Sequence, residues 1–234
     1  MKNTLIVLTI LCAARVPAQT VVQQFVAISK GAGTVSDMDL QPTVEGSTLI
    51  AMPLELTPGI RVLSVTDNAP DGGNTYREVS GSAASCQGQS LSIWYCEKCN
   101  SGVTELKFHL SGRTVASLNA FLEVSDLQSA SVLDGEGVHV TDGTRTSAGL
   151  EVGPKIKTSA MDFVVARFSS AMPVPTEVSA PWSFKPSYVY LLNAAPGSYG
   201  PTLSGNGTGG NYCMGIAAFK TAASAPPSPA ASEK

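Results

Sequence analysis

Charge is scarce in this chain. Lys, Arg, Asp and Glu make up 14% of its 234 residues, and no basic cluster occurs among them. A nucleic-acid partner calls for a basic stripe and an anionic membrane surface for a polybasic segment, so neither is expected. No Gly-x-Ser-x-Gly elbow is present, which removes the usual nucleophile turn of a serine hydrolase. The two histidines, His109 and His139, lack the i, i+4 spacing of a helical metal pair and read as ordinary strand residues. Repeats at a solenoid or propeller period are missing as well. Beyond the first residues no apolar run is long enough for a membrane-spanning helix.

What is present begins with an export signature. Lys2 gives a positive start, Thr4 to Ala14 form an apolar core too short for a bilayer, and Val16-Pro17-Ala18 carries compact residues at a cleavage site. Residues 1–18 are expected to be a signal peptide, with Gln19 the mature N-terminus. Leu11, before Cys12, is not the small residue that lipidation needs. Removing Lys2 and Arg15 takes the formal charge from −3 to −5. The mature chain is expected to be secreted, periplasmic or at the cell surface, without inserting into a membrane.

Its remaining cysteines, Cys86, Cys96, Cys99 and Cys213, are even in number, which in an exported chain reads as two disulfides. Cys96 with Cys99, leaving Cys86 with Cys213, is the favoured pairing because the first two are so close. A redox centre or a zinc site is the competing reading of Cys96-Glu97-Lys98-Cys99. Asn100-Ser101-Gly102 follows it as a turn, though, where redox motifs open a helix.

Short apolar runs rich in Val, Ile, Thr, Tyr and Phe alternate with Gly, Pro, Asn, Asp and Ser. Strands are expected over 22–29, 47–56, 61–66, 75–79, 91–96, 105–110, 116–124, 138–140, 162–168, 187–193 and 212–219. Residues 115–124 also have near-helical spacing, but Val and Phe favour a strand. The sum is an all-β sandwich, jelly-roll-like, over residues 19–220. Residues 221–234, with three prolines and no large apolar side chain, read as a disordered Ala/Ser/Pro-rich tail.

The phrases Gly46-Ser47-Thr48-Leu49-Ile50, Leu63-Ser64-Val65-Thr66-Asp67, Gly73-Asn74-Thr75-Tyr76, Ile93-Trp94-Tyr95, Phe121-Leu122-Glu123-Val124-Ser125 and Ile216-Ala217-Ala218-Phe219-Lys220 follow one another along the chain. This series resembles a loose group of secreted bacterial β-sandwich domains of surface proteins. The resemblance implies a fold and a location and carries over no catalytic residue.

Three kinds of site follow from the residues themselves. Asp67, Asp71 and Asn74 lie on a glycine-rich loop that offers oxygen ligands to calcium, or simply a tight turn. Trp182, Tyr199, Tyr212 and Tyr76 sit in or beside loops where a sugar ring would stack, whereas Trp94 falls mid-strand and reads as core. Glu105, Glu123 and Asp162 are carboxylates from which a glycosidase pair would be drawn. The leading expectation is a non-catalytic binding or surface module with carbohydrate as its ligand. An adhesin-like assembly subunit binding protein comes second, and a polysaccharide hydrolase third. An exposed aromatic cluster would mark the first, a free sheet edge the second.

Overall fold

The computed structural model describes residues 18–170 and 173–222, apart from the side chains at 30–32 and 71. Residues 1–17 of the expected signal peptide, Cys12 included, and residues 223–234 of the expected tail lie outside the described residues. Nineteen strands and one 3-10 turn (Pro70–Gly72) make up the described secondary structure. The strands are β1 (Thr20–Asp39), β2 (Thr48–Met52), β3 (Leu54–Glu55), β4 (Val62–Asp67), β5 (Arg77–Glu78), β6 (Ala84–Cys86), β7 (Gln89–Leu91), β8 (Trp94–Cys96), β9 (Glu105–Ser125) and β10 (Val138–Thr144). There follow β11 (Leu150–Val152), β12 (Ile156–Thr158), β13 (Asp162–Ser170), β14 (Glu177–Val178), β15 (Ser183–Lys185), β16 (Tyr188–Ala194), β17 (Gly197–Tyr199), β18 (Thr202–Ser204) and β19 (Asn211–Lys220). The fold is all-β and sandwich-like, as the alternating sequence predicts.

A nine-stranded antiparallel sheet is organised by β9, which pairs with β1 along one side and with β4, β3 and β2 along the other. The strand expected at 105–110 and the one expected at 116–124 are the two halves of β9. Between them the sheet turns a corner, and Phe108 from one half meets Phe121 from the other in a single apolar cluster. An even-numbered residue and an odd-numbered one share this inner face, so the alternation slips by one at the corner, as at a bulge. Register shifts at Lys30/Gly33 and Gly33/Val35 mark the same place on β1. Gly112 sits there against Ile60, whose Cδ1 would lie 2.7 Å from a β-carbon at that position.

A second sheet of five strands, in the order β10-β19-β13-β16-β15, packs on the first. Period-two alternation lets its central strands serve two cores at once. From β13, Phe163 and Val165 point toward the large sheet, while Val164, Ala166 and Phe168 point away. From β19, Ala217 and Phe219 face the large sheet, and Met214, Ile216 and Ala218 the opposite side. That outer face is covered by two small sheets, β11-β18-β14 and β12-β17, which supply Leu203 and Ile156. β2 is divided in the same way, with Leu49 and Ala51 inside the curl and Ile50 and Met52 between the sheets. The molecule therefore stacks three apolar layers where a simple sandwich has one.

Two further ties cross the layers. Arg167, fully buried, donates to the carbonyls of Ser187 at 2.8 Å and Leu118 at 2.5 Å. Cys86 on β6 is bonded to Cys213 on β19, with their α-carbons 5.6 Å apart. The chain ends meet as well. Gln19 is buried, accepts from the Asn193 N–H at 2.8 Å and bonds the Thr221 hydroxyl. Thr221 and Ala222, which composition assigns to the tail, are hydrogen-bonded to Met161 and Asp126, so the folded chain continues past Lys220. Among the described residues no helix is long and apolar enough to cross a membrane.

Candidate functional site

The Asp67 loop is built as a turn. Asp67 Oδ1 accepts the N–H groups of Ala69 and Asn74, both at 3.0 Å. Its Oδ2 accepts Asn74 Nδ2 at 2.8 Å and the Tyr76 hydroxyl at 2.9 Å. Asn74 Oδ1 in turn accepts the Asn100 N–H at 2.8 Å. Four donors on one carboxylate satisfy it without a cation. Burial, followed by the charge and hydrogen bond of Asp67, pushes the Tyr76 phenol well above its ordinary value. Asp71 lies on the 3-10 turn, and its side chain is outside the described residues. No group of three or more His, Cys, Asp or Glu suited to a metal occurs among the described residues.

The four loop aromatics are not brought together. Trp182 is 8% exposed and belongs to the outer core over the five-stranded sheet, with Tyr199 packed against it. Tyr76 belongs to the core inside the curl. Tyr212 is buried under β11, where its hydroxyl donates to Val152 O at 2.8 Å and accepts the Val152 N–H at 3.1 Å. The Tyr199 hydroxyl donates to Ala195 O at 2.9 Å. Trp182, Tyr76 and Tyr212 are buried and Tyr199 is half-buried, so the four rings offer no common face to a sugar. Trp94 is core, as its mid-strand position predicts.

Cys96 and Cys99 are bonded to each other, both buried beside Leu49 and Val103. Backbone bonds from Cys99 N–H to Ser47 O and from Gly46 N–H to Cys99 O clip this loop to the start of β2. Disulfide-bonded cysteines of this kind are compatible with an oxidising compartment. The carboxylates are dispersed too. Glu123 is buried, with Gln23 and the Val44 N–H both at 2.6 Å. Glu105 pairs with Lys107 at 3.1 Å, and Asp162 is buried beside Asp134. His109 meets the Thr66 hydroxyl at 2.9 Å.

Two surface features remain, and the sequence reading singled out neither. The first is the outer side of β1. This 20-residue strand pairs with β9 alone among the described residues, so its other edge carries unpaired backbone groups. Val26 and Ile28 on it are 39% and 61% exposed. Beside them runs an apolar groove of about 290 Å³ lined by Val26, Leu54, Leu118, Phe168, Val174 and Pro186.

The second is a polar cleft of about 510 Å³ between the two large sheets. β4 contributes Leu63, with Arg61 just before it, β5 gives Glu78, β6 gives Ser85, and β10 gives His139 and Thr141. Pro53, Leu91 and Ser92 are buried beneath. Desolvation pushes the Glu78 carboxyl above its ordinary value, and the nearby Arg61 charge draws it partly back. His139 Nδ1 lies 3.0 Å from Gly81 O. A carbonyl only accepts, so Nδ1 carries a proton, and in the neutral imidazole Nε2 is then the acceptor. No family model, curated protein or solved structure matches this chain, and its own residues are what bear on its function.

Proposed function

We propose that this protein is an exported, non-catalytic surface module that associates by adding a strand to the free edge of β1, the added strand being β1 of a second copy. The observation that carries this reading is the unpaired outer side of a strand far longer than the usual five or six residues. Residues 21–29 on it (VVQQFVAIS) hold no charge, proline or glycine, although edge strands are ordinarily blunted by such residues. Main-chain bonds along such an edge supply affinity, and alternate side chains supply selectivity. Antiparallel pairing about Phe25 sets Val22 opposite Ile28 and Gln24 opposite Val26. One surface thereby meets its own copy, as a two-fold interface requires. The adjoining groove gives the apolar side chains a place to be covered. Carbohydrate recognition through the loop aromatics lacks this support, since three of the four rings are buried and Tyr199 is half-buried.

Sedimentation velocity of the secreted protein from low micromolar to high micromolar concentration tests the reading. A rise from monomer to dimer that Ile28→Lys reduces at least tenfold, with thermal unfolding unchanged, is the expected result. A monomer throughout, or a dimer indifferent to both Ile28→Lys and Val26→Lys, overturns it.

A further inference from the structure

From the cleft between the two large sheets we infer a second, separate site, one that binds a neutral saccharide through Arg61, Glu78 and His139. The starting observation is a set of solvent-exposed polar side chains, Arg61, Glu78, His139, Ser85 and Thr141, gathered along one cleft. Ion pairs among the described residues, such as Arg77–Glu97, Lys107–Glu105, Arg145–Glu151 and Lys220–Asp134, close within 4 Å. Arg61 and Glu78 line one cleft, near enough to feel each other's charge, yet neither side chain makes a hydrogen bond or ion pair within the described residues. His139 is oriented by its bond to Gly81 O, and in its neutral form keeps Nε2 as a lone-pair acceptor.

These groups define the ligand's chemistry. A guanidinium donates, whereas a carboxylate and a neutral imidazole nitrogen accept. Only a ligand group that both donates and accepts suits all three, and a hydroxyl does so. One cation, one anion and one neutral ring leave the site without net charge, which favours an uncharged ligand. The polar groups come from Arg61 just before β4 and from β5, β6 and β10, with the Ser85 and Thr141 hydroxyls between them. That distribution matches hydroxyls set around a ring rather than two charges on one end of a zwitterion. Leu63 and the Leu91 floor provide apolar surface for the ring's C–H groups. The volume falls within the range of small-molecule sites. None of this depends on the β1 edge, which Arg61, Glu78 and His139 do not touch.

Isothermal titration calorimetry of the secreted protein tests the inference. The probes are glucose, galactose, mannose, N-acetylglucosamine and their common disaccharides, with glycine and diglycine as zwitterionic controls. The expected result is binding of at least one saccharide, weakened tenfold or more by Glu78→Gln and by Arg61→Met at unchanged thermal stability. Ile28→Lys should leave that binding intact. Absence of saccharide binding, saccharide binding that both cleft variants retain, or binding of the zwitterions in place of sugars overturns it.

Discussion

Asp67 gathers two backbone N–H groups, an amide and a phenol on one carboxylate. Asp67→Ala would orphan all four donors and is expected to cost about 2–4 kcal/mol, at about 0.5–1 kcal/mol for each partly buried bond lost; urea unfolding measures it. Adding calcium or a chelator should leave the wild-type melting temperature unchanged. Asp162 makes the opposite kind of prediction. Burial first, then the hydrogen bond and charge of Asp134, lift its carboxyl from 3.8 to about 8. The folded chain thus keeps a proton that the unfolded chain releases near pH 4. This contribution is complete below that pH and drains away as pH climbs to about 8. Asp134 behaves inversely. Burial pushes it upward, but bonds from Ser159 and Asp162 and the Lys220 charge outweigh that and hold it below its ordinary value. Asp162→Asn, which keeps a donor toward Asp134, should raise stability at pH 8 and change little near pH 4. Urea midpoints at the two pH values check it. The turn at Asp67 was legible because Asp, Asn and Gly announce a turn locally. The Asp134–Asp162 pair was not, since 28 positions separate residues that only the folded sheets bring together.

At the scale of elements, β2 shows what burial on two faces does to a five-residue strand. Every residue from Thr48 to Met52 is buried, and Ile50→Ala should lose about 2–5 kcal/mol through the cavity it opens between the sheets. Unfolding in urea with an unchanged slope would confirm a stability effect alone. Strands of this kind were readable as apolar runs, and so was residues 115–124 as a strand despite its near-helical spacing. The far half of β1 was not readable, because Lys30-Gly31-Ala32-Gly33 looks like the end of a strand. In the structure this glycine-rich stretch instead passes the corner where β1 and β9 bend together. Three-residue strands such as β11, β12 and β18 escaped for a simpler reason. Alternation over so few residues carries no signal, and their role is set by the sheet they cover.

For the whole molecule, the two disulfides should differ sharply in weight. Cys86–Cys213 spans 127 residues and joins two sheets, whereas Cys96–Cys99 spans three. Loop-closure entropy gives about 5 kcal/mol for the first and about 2 kcal/mol for the second. The double Ser variant at 86 and 213 is therefore expected to melt well below that at 96 and 99, as calorimetry would show. An even cysteine count pointed to both bonds, but the stacked layers were hidden. A strand buried on two faces reads the same whether one further layer lies beyond it or none.

The chain is made from its N-terminus, and this gives the β1–β9 pair a history. β1 is complete at Asp39, yet the strand that holds it begins at Glu105. While the intervening residues emerge, the uncharged 21–29 stretch has no native neighbour on either side. It is in that interval a segment that a holdase chaperone would grip. Once β9 arrives, one side of β1 is claimed and the other still is not, so each single copy keeps half of the exposure its nascent chain had to survive until a second copy covers it.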